Sequence, residues 1–241
     1  MLKQGGLIKN TGVGLCVLSL CLMGWMNQPY STDVLLGKTT GYNTSTGLTP
    51  EADSAFIAMK NKAAEDGIIL QIVSGFRSYE RQKSIWNTKF NTYANSLDNT
   101  SEIIDKITEY SSFPGTSRHH WGTDVDLIDT SKPTPKHLLV AQNYSETGVY
   151  CDLFYWMQLY AKDFGFYLVY DAHTERKGFN YEPWHYSYLP TAKPMLKEYL
   201  SNISISTLKN PLIEGSQELT EDWFSEYLNR FMLGINQVLK E

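Results

Sequence analysis

The chain has 241 residues, 42% of them hydrophobic, which is enough to bury a sizeable core. Its net charge of −5 argues against a nucleic-acid partner, because such binding leaves a basic footprint. Of the three cysteines, Cys16 and Cys21 lie in the N-terminal segment. Cys151 is left alone in the body, so no internal disulfide is expected there.

Lys3 and Lys9 precede an uncharged, mostly apolar run from Thr11 to Met26. Residues 1–26 therefore read as a signal peptide or an N-terminal signal anchor, without a clean small-x-small cleavage site. The chain is expected to be exported to the periplasm or cell envelope, with this segment as a membrane tether if it is retained. Residues 27–50 are rich in Thr, Ser, Gly and Asn and read as a linker.

From Pro50-Glu51, the spacing of Ala55, Phe56, Met59 and Ala63 predicts a helix stopped by Gly67. Ile68 to Val73 is a short apolar, β-branched run, expected as a buried strand. A turn over Ser74–Arg77 follows, and Ser78 caps a helix running through Trp86 toward Phe90. Residues 91–100 read as a loop, 101–110 as a short helix and 124–128 as a strand. Leu153 to Phe164 is amphipathic and ends at Gly165, a helix-terminating signal. Phe166–Tyr170 and Trp184–Leu189 are aromatic, β-branched strand candidates. Beyond Pro194 the pattern is helical, with one amphipathic helix expected over Leu219–Leu239. Strands and helices interleave without a regular βαβ rhythm. That argues for an α+β fold, a mainly antiparallel sheet flanked by helices with a helical C-terminal extension over 194–241.

The chemistry concentrates in Ser117-Arg118-His119-His120-Trp121-Gly122-Thr123-Asp124-Val125-Asp126 and, far downstream, Glu182-Pro183-Trp184-His185. His119, Asp126 and His185 offer two imidazoles and a carboxylate to one metal ion. Such a set leaves the fourth position of a tetrahedral zinc open, as a catalytic site requires. Glu182 is then the natural general base for a water held there. Pro183 disfavours a helical Glu182, so this acid is expected at the mouth of a strand. His120 points elsewhere, His137 and His173 sit in polar loops, and Arg118 and Trp121 are expected to shape the rim.

The pattern Ser-x-His-x-x-Gly-x-x-x-Asp followed by Glu-Pro-Trp-His closely resembles the VanY-like zinc D-alanyl-D-alanine carboxypeptidases, members of the LAS group of metallopeptidases. Ser74-Gly75-Phe76-Arg77-Ser78-Tyr79-Glu80 with Gln82, Pro114-Gly115 and Phe164-Gly165-Phe166 extend the resemblance over roughly Glu51 to Leu189. It implies a zinc carboxypeptidase domain over 51–193 with the LAS/hedgehog-like fold, one Zn²⁺ on His119, Asp126 and His185, and Glu182 as base. It also implies that Arg77 stabilises the oxyanion, while Ser117 and Gln82 hold the substrate's terminal carboxylate and backbone. The expected substrate is a peptidoglycan stem peptide that loses its terminal D-alanine. A related endopeptidase, an L,D-carboxypeptidase or a non-catalytic zinc-stabilised wall-binding module are the alternatives.

One residue departs from the pattern. Where the family usually has a small alanine, two residues before the metal Asp, this chain has Asp124. Strand periodicity puts it on the same face as Asp126. There it could greet a substrate ammonium, orient a ligand histidine, or be turned to solvent by a bulge.

Overall fold

The computed structural model describes residues 30–173 and 175–240; the export-type segment expected over 1–26 lies outside them. Its helices are α1 (Thr32–Leu35), α2 (Pro50–Glu65), α3 (Tyr79–Tyr93), α4 (Thr100–Ile107), α5 (Cys151–Tyr160), α6 (Leu189–Asn202), α7 (Ile205–Leu208) and α8 (Glu221–Tyr227). The strands are β1 (Leu70–Ser74), β2 (Asp124–Asp129), β3 (Phe166–Leu168) and β4 (His185–Tyr188). Helix starts follow from local chemistry. The Thr49 hydroxyl accepts from the Ala52 amide, with Pro50 in the first helical position, and Ser78 and Asn99 cap α3 and α4 in the same way. After α5, a short 3₁₀ turn ends at Gly165, whose φ of +78° is the left-handed stop anticipated from its position.

The four strands form one antiparallel sheet in the order β1-β2-β4-β3, so the fold is α+β as expected. Strand β2 is buried along its whole length. Strand β1, expected to be buried, is an edge strand paired only with β2, and Ile69 and Val73 beside and within it are exposed. One apolar cluster packs α2 and α5 against the sheet through Phe56, Met59, Leu127, Trp156 and Phe166. A second gathers α3, α4, α6 and the C-terminal tail around Trp86, Ile107, Tyr199 and Phe231. Each such side chain gains about 1.5–3 kcal/mol on burial.

Two expected boundaries do not hold. The segment anticipated as a linker is built into the core: Leu35, Leu36 and Leu48 are fully buried, and the Trp121 indole donates to the Leu35 carbonyl. The tail is no appendage either, since α6 spans the expected division at 193/194 and the tail's apolar side chains join the second cluster. The single helix expected over 219–239 is broken into α8, a wider turn over Leu228–Met232 and a 3₁₀ turn over Gln237–Leu239. Tail side chains brace the loop that leads into the histidine motif. Tyr227 Oη accepts from the Phe113 amide at 3.0 Å, and Tyr199 Oη donates to the Gly115 carbonyl at 3.0 Å. Among the described residues no helix is long and apolar enough to cross a membrane.

Candidate metal centre

The three expected ligands arrive from three directions. His119 sits in a 3₁₀ turn over Arg118–Trp121, Asp126 in the middle of β2, and His185 at the start of β4, directly opposite Asp126 in the sheet register. The turn carrying His119 is closed by Gly122 at φ +67°, where an added Cβ would lie 2.6 Å from the Tyr42 ring. Only glycine serves there, and the chain can then enter β2 at once.

The ligating atoms of His119, Asp126 and His185 lie within 4.8 Å of one another. His119 Nε2 is 3.4 Å from Asp126 Oδ2, and His185 Nδ1 is 3.8 Å from Asp126 Oδ1. A tetrahedral cation with bonds of about 2.0–2.2 Å holds its donors about 3.4 Å apart, so the spacing fits zinc. Asp126 Oδ1 is moreover buried without a hydrogen-bond partner, an acceptor calling for a positive charge.

The ring orientations agree with that role. His119 Nδ1 donates to the Gly75 carbonyl at 2.9 Å, which leaves the Nε2 lone pair free. His185 is held the other way round: Nε2 lies 3.0 Å from Asp124 Oδ2, while Nδ1 is turned toward Glu182 Oε2 at 3.0 Å and Asp126 Oδ1 at 3.8 Å. His119 Nε2 and His185 Nδ1 are thus the ring nitrogens on the Asp126 side.

Electrostatics give the same picture. Burial, then Arg77 and His185, push the His119 pKa well below its ordinary value. Burial also drives Asp126 up to about 7, against the pull of His185. Burial lowers His185 too, but Asp124 and Glu182 outweigh it and raise it to about 10. The carboxylates of Asp126 and Glu182 beside the two imidazoles favour a cation between them.

Glu182 reaches the cluster through a tight turn. The His185 amide donates to the Glu182 carbonyl at 3.1 Å, and Glu182 Oε2 lies 3.0 Å from His185 Nδ1. The chain at Glu182 is non-helical, as Pro183 demands, and the Glu182 amide is tied to the Tyr170 carbonyl at 3.0 Å.

Arg77 is placed by a bulge. The register of β1 against β2 slips between Ile72 and Ser74, so that Ser74 faces Asp126 and Gly75 faces His119. Arg77 Nη2 donates to Ser74 Oγ at 2.8 Å and stands 3.9 Å from Asp126 Oδ2. Its backbone is held as well, by a hydrogen bond from its amide to the His119 carbonyl and by His120 Nδ1, 2.6 Å from the Arg77 carbonyl. His120 is thereby a buried positioning group and no ligand, while His137 and His173 are exposed.

A cavity of about 530 Å³ opens onto this cluster, with Arg77, Ser117, His119, Tyr170, Glu182 and His185 in its wall. Ser117 makes no capping bond and lines this space. Two residues expected at the substrate stand behind the wall instead. Gln82 is fully buried and donates to the Ser112 carbonyl, while its Oε1 accepts from Arg77. Asp124 is likewise fully buried, without access to a substrate ammonium or to solvent. It accepts from Arg118, Thr123, His185 and Ser187. Arg118, expected at the rim, is buried against Asp124, and Trp121 is wholly in the core, with the Arg118 guanidinium over its ring.

Ser187 and Tyr170 were not anticipated. Tyr170 meets the His185 ring edge-on at 5.0 Å. Ser187 carried a usable signal, since two residues after His185 on a strand means the same face.

A family model described as VanY, D-alanyl-D-alanine carboxypeptidase, matches residues 45–191. The chain is 33% identical over 117 residues to an uncharacterised protein of Haemophilus influenzae, covering 46% of this chain and 89% of that one. It is 30% identical over 140 residues to the putative carboxypeptidase YodJ of Bacillus subtilis, covering 58% of this chain and 45% of the relative. It thus spans less than half the length of that relative. Among solved structures it is similar to VanYB in complex with D-alanine-D-alanine, with a TM-score of 0.48 and 21% identity over 68% of this chain and 87% of that one.

Proposed function

Since the chain belongs to the VanY family of D-alanyl-D-alanine carboxypeptidases, we propose that it is a zinc-dependent carboxypeptidase that removes the C-terminal D-alanine from peptidoglycan stem peptides. One observation carries this reading. His119, Asp126 and His185 turn their donor atoms to a common centre at the floor of an open cavity, with Glu182 and Arg77 beside them.

A zinc ion bound by those three residues would act as a Lewis acid on the scissile carbonyl and make a water acidic enough to lose its proton near neutral pH. The chain's own groups do the rest. Glu182 stands where it can take a proton from water and return it to the leaving amine. Arg77, fixed by Ser74 and Gln82, presents a guanidinium to the oxyanion that develops on the substrate carbonyl. The Ser117 hydroxyl lines the cavity and is suited to the substrate's terminal carboxylate. The N-terminal run from Lys3 to Met26 supports an exported protein, where stem peptides are accessible, with that segment as signal or tether.

Mass spectrometry of synthetic stem peptides incubated with the zinc-loaded protein tests the reading. A pentapeptide ending in D-alanyl-D-alanine is expected to lose one alanine. Processing of the tetrapeptide alone would move the assignment to an L,D-carboxypeptidase, and internal cleavage to an endopeptidase. Zinc uptake with none of these products would leave a wall-binding module.

A further inference from the structure

We propose that Asp124 is a positioning residue for His185, holding the ring by its Nε2 edge so that Nδ1 is the metal-binding atom, with Arg118 and Ser187 fixing the Asp124 carboxylate. The inference rests on the zinc reading above.

The geometry is specific. Asp124 and Asp126 are two residues apart on β2 and so lie on one face, while His185 and Ser187 do the same on β4 directly opposite. The His185 ring is therefore held among three carboxylates, Glu182 at 3.0 Å and Asp126 at 3.8 Å on the Nδ1 side and Asp124 at 3.0 Å on the Nε2 side. The Asp124 carboxylate is saturated. Oδ2 accepts from His185 Nε2 at 3.0 Å and Arg118 Nε at 2.9 Å, and Oδ1 accepts from Thr123 Oγ1 at 2.8 Å and Ser187 Oγ at 2.6 Å. Arg118 Nη2 also donates to Ser187 Oγ at 2.7 Å, which closes the network.

A buried acid with four donors cannot swing toward solvent, so its orientation imposes one on the imidazole. The two ligand histidines thus differ in support. His119 leans on a backbone carbonyl, whereas His185 leans on a side-chain carboxylate. A mere ion pair with Arg118 would explain Asp124 on different grounds. Buried pairs are weak contributors to stability and can often be replaced by apolar groups. What separates the two accounts is the metal.

The experiment measures zinc affinity of the full chain by competition with a chromophoric chelator, together with the visible spectrum of the cobalt(II)-substituted protein. Asp124→Asn keeps an oxygen for Arg118, and the pair Arg118→Met with Asp124→Ala removes both charges at once. Each is expected to bind zinc about 10- to 100-fold more weakly and to shift the cobalt bands, with a wild-type circular dichroism spectrum. A folded variant with wild-type zinc affinity and cobalt bands would reduce Asp124 to a partner of Arg118. A histidine ¹⁵N spectrum of the zinc-loaded wild type decides the matter without any variant. A proton on His185 Nε2 is expected, and one on Nδ1 overturns the inference. Failure of the wild type to bind zinc sinks the metal reading and this inference together, whereas normal wild-type binding with an unaffected variant sinks this inference alone.

Discussion

The Gln82 side chain accepts a hydrogen bond from Arg77 Nη1 at 3.0 Å and points away from the cavity. Its amide nitrogen is anchored on the Ser112 carbonyl at 2.8 Å, so the pair forms a rigid strut rather than two independent substrate contacts. Arg77 is held on its other side by Ser74. Gln82→Ala should therefore release one arm of the guanidinium and lower kcat about 10-fold or more, as expected for losing a charged hydrogen bond worth about 1.5–3 kcal/mol. KM and zinc content should change little. Steady-state kinetics on a stem peptide would show the opposite split, a raised KM at constant kcat, if Gln82 gripped the substrate directly.

Glu182 and His185 are brought within 3.0 Å by the turn at Pro183-Trp184. Because the three proposed ligands are other residues, Glu182→Ala should retain one equivalent of zinc while kcat falls about 10²- to 10⁴-fold, the usual span for a lost general base. Metal content by atomic absorption and turnover on the same preparation check this. A variant with near-normal turnover would remove Glu182 from the proton path.

Much of this centre is legible in the sequence because metal chemistry constrains residue identity. Only a few side chains can ligate zinc, and His119, Asp126, Glu182 and His185 stand in two compact motifs. The groups that orient them are harder to read, since any acceptor can hold an imidazole. Asp124 was visible as a departure, but its partner Ser187 lies 63 residues away and is joined only by the sheet register. Gln82 presents the same difficulty in reverse, because polarity in a sequence does not say whether a side chain faces substrate or a neighbouring arginine. The segment after residue 29 departs from its linker-like composition for a physical reason. Its hydroxyl and glycine residues resemble a linker, yet its few leucines are fully buried. In the tail, apolar spacing suggested one helix, but Gly234 and Asn236 interrupt it, and the Asn236 side chain caps a new turn at Val238.

Zinc bound as proposed by His119, Asp126 and His185 would couple to fold stability, because a metal held by the native chain and not by the unfolded one stabilises the former. At free zinc about 100-fold above its Kd the native state gains about 2.7 kcal/mol. For a chain of this size that raises Tm by roughly 5–10 °C. Differential scanning calorimetry with and without a chelator is expected to show this shift, and His119→Ala, which removes a ligand, is expected to abolish it. A chelator-insensitive Tm in the wild type would separate the site from the stability of the fold.

Asp53 on α2 offers a test far from the zinc cluster. Its Oδ1 accepts from Ser45 Oγ at 2.9 Å, the Thr46 amide at 3.0 Å and Thr46 Oγ1 at 2.7 Å, so one carboxylate secures the loop that leads into α2. Burial raises the Asp53 pKa, but the bonds from Thr46 and Ser45 prevail and hold it below its ordinary value of 3.8. A carboxyl depressed in the folded state stabilises the protein above the unfolded pKa, and that contribution is lost as the pH falls through the folded one. Asp53→Ala should cost about 1–2 kcal/mol near neutral pH, and the gap between variant and wild type should narrow as the pH drops below about 4. Urea unfolding of both proteins across that range measures it. A gap that stays constant would mean that the charge on Asp53 has no part in holding the loop.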